Sequence, residues 1–169
     1  MADFVQISEL DENKVNNLID RIKSKKVKLA VLFMSDCGLR LADVARLTPA
    51  NLVFDKDGQL IAIQNLKRSL WKSHAGTRTI SLSLLRAYGL ISLEHEQEIN
   101  SNIKNYKVST RAVEISIKKI SEFKAPDFRH YFIFKALRHK VPLAIIGQVF
   151  DASPLRYERI LYTDELIKY

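Results

Sequence analysis

The chain is poor in the residues that mark several classes of protein. Its 169 residues include one cysteine, Cys37, which excludes an internal disulfide framework. Five glycines and four prolines, beside 47% hydrophobic residues, argue against a disordered chain. No apolar run approaches the ~20 residues that span a bilayer. The N-terminus also lacks a basic segment followed by an apolar one, so we expect no membrane segment, no signal peptide and a cytoplasmic location.

Acidic residues are the minority among the charged ones. There are 27 lysines and arginines against 19 aspartates and glutamates, which gives a formal net charge of +8. Such an excess favours a polyanionic partner, although a solvated basic surface gives the same count. The length predicts one domain, over residues 1–169, with a substantial hydrophobic core.

Signals for metals and cofactors are missing from the sequence. The four histidines, at positions 74, 95, 130 and 139, show no ligand spacing with Cys37. There is no Walker loop and no G-x-G-x-x-G segment. We therefore expect no cofactor and no metal, and we interpret Cys37 as a small buried residue rather than a catalytic thiol.

Hydrophobic periodicity predicts a mostly α fold with a small antiparallel β-sheet. Helices are predicted over residues 12–22, 27–34, 41–47, 84–93, 110–123, 128–138, 142–150 and 154–162. Strands are predicted over residues 51–55, 60–63 and 77–83, with a turn at Lys56-Asp57-Gly58. The polar stretch 94–107 is predicted to be a loop.

Three segments carry the candidate catalytic residues. They read C-G-L-R-L-A-D-V at 37–44, P-D-F-R-H-Y at 126–131 and K-V-P-L-A-I-I-G-Q-V-F-D-A at 140–152, and Tyr162-Thr163 follows. Two guanidiniums, those of Arg40 and Arg129, can hold a phosphodiester by both free oxygens, and a phenol can attack it. The alternatives are an Arg40 paired with Asp43 or another surface acid and an Arg129 whose stem lies along the core.

In order and spacing, these segments resemble the catalytic domain of the tyrosine recombinases, the phage-integrase family. The family's boxes read roughly T-G-L-R-x-x-E-L, H-x-L-R-H-T-x-A and G-V-P-L-x-x-I-x-x-x-L-G-H, and a tyrosine follows. Among the positions that depart from them, Asp43 stands for the glutamate, Pro126 for the first histidine and Ala152 for the last.

The resemblance implies a site-specific DNA recombinase or integrase that cleaves and rejoins strands through a 3′-phosphotyrosine, without a cofactor. It assigns the phosphate clamp to Arg40 and Arg129 and the nucleophile to Tyr162. It also implies a general acid, Lys67, in a β-hairpin. Lys72 is the alternative general acid. Tyr157 is a weaker candidate nucleophile because it follows the third box too early.

The predicted hairpin is rich in cations, and the only tryptophan lies at its tip. Cations with an interleaved aromatic suit contact with a DNA backbone, although a solvated basic loop has the same composition. Together with two residues of the second box, they give the candidate DNA contacts: Arg68, Lys72, Arg78, Lys124 and His130. In the family, a histidine at the position of His130 is usually structural.

The resemblance also implies the setting of the protein. Double-stranded DNA is the expected partner, bound by a homotetramer, inside a cell that hosts a virus, plasmid or other mobile element. The family's N-terminal core-binding domain is expected to be absent from this chain. A catalytically inactive DNA-binding protein on the same fold is the alternative, and a basic helical interaction module is a third.

Overall fold

The computed structural model describes the backbone of residues 4–68 and 76–167 and the side chains of residues 6–68 and 76–161. In chain order, this part contains α1 (Phe4–Ser8), α2 (Glu12–Asp20), α3 (Lys25–Cys37), α4 (Leu41–Arg46), a 3₁₀ turn (Pro49–Asn51), β1 (Leu52–Phe54), β2 (Leu60–Lys67), β3 (Thr77–Ser81), α5 (Leu82–Ala87), α6 (Leu93–Asn102), α7 (Thr110–Ile120), α8 (Ala125–Arg138), α9 (Leu143–Gln148) and α10 (Pro154–Ile167). The predicted class, mostly α with a small antiparallel sheet, is confirmed.

The sheet has the order β1-β2-β3, and both pairings are antiparallel. Ile63 in the central strand pairs with Leu52 on one side and with Ile80 on the other. The register with β3 shifts between Ile63 and Leu66, where Asn65 has a φ of 60°. This bulge bends the end of β2, so that Lys67 pairs with Thr77 at the base of the hairpin.

Helix α3 lies at the centre of the core. Every residue from 29 to 37 is buried, because the segment is apolar apart from Ser35 and Asp36 and because α6, α7 and α8 pack around it. Ser24 caps its start by accepting a hydrogen bond from the backbone of Val27, at 3.3 Å. Gly38 ends the helix in the left-handed conformation, with a φ of 75°.

The predicted loop over 94–107 is wrong, because residues 93–102 form α6. The side chain of Ser92 caps the helix by accepting from the backbone of His95, at 3.1 Å. Glu94 and Glu96 in the first turn suit the positive end of the helix dipole, and Ile99 supplies a buried anchor. A cap and a single anchor are enough here because α6 packs against α3.

Other boundaries differ by a few residues. The helix predicted over 84–93 is the shorter α5, which starts at Leu82, and Gly89 follows it with a φ of 67°. Helix α8 starts before residue 128, because the carboxylate of Asp127 accepts from the backbone of Lys124 at 2.8 Å and caps the first turn. Among the described helices, none combines the length and apolar character that a membrane crossing requires.

Candidate functional site

Three arginines, distant in sequence, meet at the turn between α9 and α10. Arg40 precedes α4, Arg78 lies on β3 and Arg129 lies in the second turn of α8. Each donates to a backbone carbonyl in the turn of residues 149–151. We call Arg40, Arg78 and Arg129 the arginine cluster.

Arg40 reaches the turn because Gly38 ends α3 and reverses the chain. Its Nη1 donates to Asp151 Oδ2 at 2.9 Å, and its Nη2 donates to the Asp151 carbonyl oxygen. The side chain of Arg40 is 25% exposed, so one side of the guanidinium faces solvent. Asp43, the predicted alternative partner, instead accepts from the backbone nitrogen of Arg40, at 3.0 Å.

Arg129 is the more buried of the two arginines that the sequence analysis proposed as a phosphate clamp. Its Nη2 donates to the carbonyl oxygens of Phe150, at 2.8 Å, and Asp151, at 3.1 Å, and its Nη1 donates to the carbonyl of Gly38. Burial lowers its pKa to about 9, and the positive charge of Arg40 adds to this effect. The side chain is therefore charged at neutral pH, and it shares the Asp151 carbonyl with Arg40.

Arg78 lies inside the cluster rather than on the exposed hairpin surface where we predicted a DNA contact. It is 3% exposed, and its guanidinium donates to the Val149 carbonyl and to Asp43 Oδ2, both at 3.1 Å. Burial lowers its pKa, and the Asp43 carboxylate opposes that shift. The sequence held a signal for this position: Arg78 and Ile80 lie on the same face of β3, and that face is buried.

Lys67 lies near Asp43, which pairs with one arginine of the cluster. Lys67 is exposed at the end of β2 and lines a pocket of about 140 Å³ together with Asp43, the partner of Arg78. Arg68, the next residue, is partly exposed. Lys72, the alternative general acid, lies outside the described residues.

His130 and Tyr157 join α8 to α10 beside the cluster. His130 Nδ1 and the Tyr157 hydroxyl lie 2.9 Å apart. Burial, together with the charges of Arg156 and Arg129, lowers the pKa of His130 to about 4. The imidazole is therefore neutral at physiological pH, and burial raises the pKa of Tyr157 so that the phenol stays protonated. Tyr162 follows on α10, and its side chain lies outside the described ones.

Lys124 borders a groove near the starts of α4 and α8. The groove has a volume of about 740 Å³, and Leu41 and Pro126 also line it. Lys124 is exposed there. Ala152, which stands for the family's last histidine, is 4% exposed. Its methyl group offers no hydrogen bond, so the turn contributes backbone carbonyls and the Asp151 carboxylate to the site.

A second polar cluster, which the sequence analysis missed, lies inside the core. Asp36 accepts from Lys135 Nζ at 3.3 Å and contacts His95 Nδ1. Burial alone would raise the pKa of Asp36, but the positive Lys135 and the contact with His95 lower it. Burial raises the pKa of the neighbouring Cys37 thiol well above its usual value, which leaves the thiol unreactive.

No protein-family model, curated protein or solved structure gives a significant match to this chain. In the part of the chain that the structure describes, no three metal-ligating side chains are grouped to hold an ion.

Proposed function

We propose that this chain binds a DNA phosphodiester at the arginine cluster and cleaves and rejoins DNA strands, like the tyrosine recombinases it resembles. One observation carries the proposal. Arg40 and Arg129 come from separate segments of the resemblance and both donate to the Asp151 carbonyl oxygen. Two guanidiniums held this close supply the paired donors that a phosphodiester requires.

In this mechanism the phenol of Tyr162 gives its proton to solvent and attacks the phosphorus atom. A bond forms between the Tyr162 oxygen and phosphorus, and the bond to the 5′ oxygen breaks. Lys67 gives a proton to the leaving 5′ oxygen, and Arg40 and Arg129 stabilise the charge on the non-bridging oxygens. The 3′-phosphotyrosine keeps the bond energy, so attack by a 5′-hydroxyl restores the phosphodiester and frees the phenol.

Backbone conformation gives independent support for the resemblance. The third box has glycine at the positions of Lys140 and Asp151. In this chain both residues adopt left-handed conformations, with φ values of 62° and 54°. Such angles favour glycine, so the backbone follows the box where the side chains depart from it.

The proposed partner is double-stranded DNA, and the net charge of +8 suits it. By the same resemblance, a homotetramer would exchange strands between two duplexes during the integration of a mobile element. Tyr162 lies on α10, the helix that begins just after the turn that holds the arginines. The helix that carries the proposed nucleophile therefore begins beside the proposed phosphate site.

A DNA-binding protein without cleavage activity is the second candidate, and one contact favours it. The Asp151 carboxylate lies on Arg40 at 2.9 Å, where a phosphate oxygen would bind. Ala152 also lacks the imidazole that the family uses to contact the phosphate. A site with these two features can retain affinity for DNA and lose cleavage.

Trapping of a covalent adduct tests the proposal. A pool of nicked duplexes with randomised sequence releases a short strand on cleavage and so prevents rejoining. We expect the wild type to form a covalent DNA adduct and Tyr162→Phe to form none. Tyr157→Phe is the matched control, since it removes a phenol oxygen from the same helix, and it should keep the adduct.

The outcomes separate the candidates. Salt-dependent binding without an adduct would favour the inactive DNA-binding protein. Adduct formation that survives Tyr162→Phe but not Tyr157→Phe would reassign the nucleophile. An absence of salt-dependent DNA binding would contradict both candidates.

A further inference from the structure

Asp151 places an internal anion in the arginine cluster. Its side chain is fully buried, and its carboxylate accepts from the partly exposed guanidinium of Arg40 at 2.9 Å. A phosphodiester oxygen accepts the same N–H groups as a carboxylate oxygen does. The two anions therefore compete for Arg40.

We propose that Asp151 determines which phosphates this site accepts, by competing with them for Arg40. The inference rests on the proposed function, in which the cluster holds a DNA phosphate. A free phosphate ion contacts only the arginine cluster, so these contacts alone must displace the carboxylate. A phosphate within a duplex is held by further backbone contacts, so a duplex displaces the carboxylate where free phosphate does not.

The backbone can stay in place while the carboxylate leaves. Arg40 and Arg129 both hold the carbonyl oxygen of residue 151, and Arg129 also holds the carbonyl of Phe150. These contacts fix the turn independently of the side chain at position 151. Rotation of the Asp151 side chain would then free the Nη1 N–H of Arg40, while Nη2 keeps its bond to the carbonyl oxygen.

The conformation of residue 151 shows that the carboxylate is not required for the shape of the turn. Its φ of 54° lies in the left-handed region, which glycine adopts without the steric cost that Cβ brings. Glycine would therefore form this turn and leave Arg40 without a competing charge. Asp151 instead neutralises Arg40 within a cluster of three arginines when no DNA is bound.

The test compares the affinity of four chains for a fluorescent duplex of random sequence across a salt titration. They are the wild type, Asp151→Asn, Asp151→Gly and Asp57→Asn. The last makes the same charge change in the exposed turn between β1 and β2. We expect both variants at position 151 to bind about fivefold more tightly than the wild type, and Asp57→Asn to stay within about twofold. The slope of log K against log salt should be the same for all four chains, since the duplex displaces the carboxylate in the wild type too and the number of phosphate contacts does not change.

A second measurement uses inorganic phosphate as the ligand and the midpoint of thermal unfolding as the readout. Millimolar phosphate should raise the midpoint of Asp151→Asn and Asp151→Gly and leave that of the wild type unchanged. Circular dichroism confirms that each variant folds, and the glycine variant covers the case in which asparagine does not.

Failure of this inference is distinguishable from failure of the proposed function. If the variants at position 151 bind duplex DNA like Asp57→Asn, Asp151 does not compete and the inference is overturned while the proposed function stands. If no chain binds DNA, the proposed function fails. A phosphate response restricted to the variants at position 151 would then still support the competition, and its absence would overturn both.

Discussion

Arg129 donates a hydrogen bond to the backbone carbonyl of Gly38, and this contact joins α8 to the end of α3. Gly38 in turn places Arg40 at the start of α4. The two segments of the resemblance are therefore coupled through one glycine, and the position of Arg40 depends on the packing of α8 against α3. The first two predictions follow from this relationship.

Gly38→Ala should destabilise the fold by about 3 kcal/mol or more. A Cβ at this position would lie 2.5 Å from Phe132 Cε1, and the φ of 75° is strained for any residue with a side chain. Gly58→Ala is the matched control. Gly58 has a φ of 78°, and nothing lies within 4 Å of the position that a Cβ would take. Gly58→Ala should therefore lower the free energy of unfolding by only about 1 kcal/mol. Urea unfolding measures both, and equal losses would contradict the steric argument.

Arg129→Lys should destabilise the fold by about 2–3 kcal/mol although the charge is kept. A lysine ammonium cannot reach the carbonyls of Gly38, Phe150 and Asp151 at once, so buried acceptors lose their donors. Arg111→Lys, at an exposed position on α7, controls for the substitution itself. Guanidinium unfolding should separate the two variants, and similar stabilities would mean that the carbonyl contacts contribute little.

The contact between His95 and Asp36 should make the stability depend on pH. The hydrogen bond to Asp36 raises the pKa of His95 above its ordinary value of 6.5. A histidine whose pKa is higher in the folded state stabilises the fold below pH 6.5, and this contribution is lost as pH rises through the folded pKa. Lys135 also pairs with Asp36, so the aspartate keeps one cation after His95 deprotonates.

His95→Gln should therefore cost about 1–2 kcal/mol at acidic pH and much less at alkaline pH. Urea unfolding between about pH 5 and about pH 9 gives the profile for the wild type and the variant. His139→Gln is the control, because the His139 ring contacts the Tyr88 carbonyl rather than a carboxylate. A difference between wild type and His95→Gln that stays constant with pH would rule out the linkage.

Much of the fold could be predicted because the strong patterns are local. The apolar run of α3, the glycine that ends it and the turn at Gly58 each depend on residues a few positions apart. Helix α6 could not be predicted from local sequence patterns. Its single strongly buried anchor, Ile99, becomes stabilising only against α3, which is distant in sequence.

The sequence likewise predicted some residues of the candidate site and not others. Arg40 and Arg129 were identifiable because ordered segments surround them. Arg78 has no such segment, and only the alternation of β3 indicated that it points inward. The sequence does not predict that Asp151 binds Arg40, because the contact depends on how the turn after α9 meets the start of α4.

Replacement of Lys67 should be rescued by a better leaving group. A substrate with sulfur in place of the 5′ bridging oxygen releases a thiolate, which needs no proton because a thiol is far more acidic than an alcohol. Lys67→Ala should lose cleavage about 10²–10⁴-fold on the oxygen substrate and recover on the sulfur substrate. Lys72→Ala should cleave both like the wild type. Rescue of Lys72→Ala instead would transfer the role of general acid to Lys72.

Asp43→Asn should destabilise the fold by about 3 kcal/mol, because it leaves the buried charge of Arg78 without its carboxylate. The 3.1 Å pair has its arginine side chain only 1% exposed, so water cannot replace Asp43. Asp20→Asn removes a carboxylate that is 71% exposed and lies 3.4 Å from Lys28, and it should cost less than about 0.5 kcal/mol. The double variant Asp43→Asn with Arg78→Met should be more stable than the sum of the single losses predicts, since neither charge remains to be paired. Urea unfolding of the wild type, Asp43→Asn, Arg78→Met and the double variant measures this coupling, and strict additivity would show that the pair does not act as a unit.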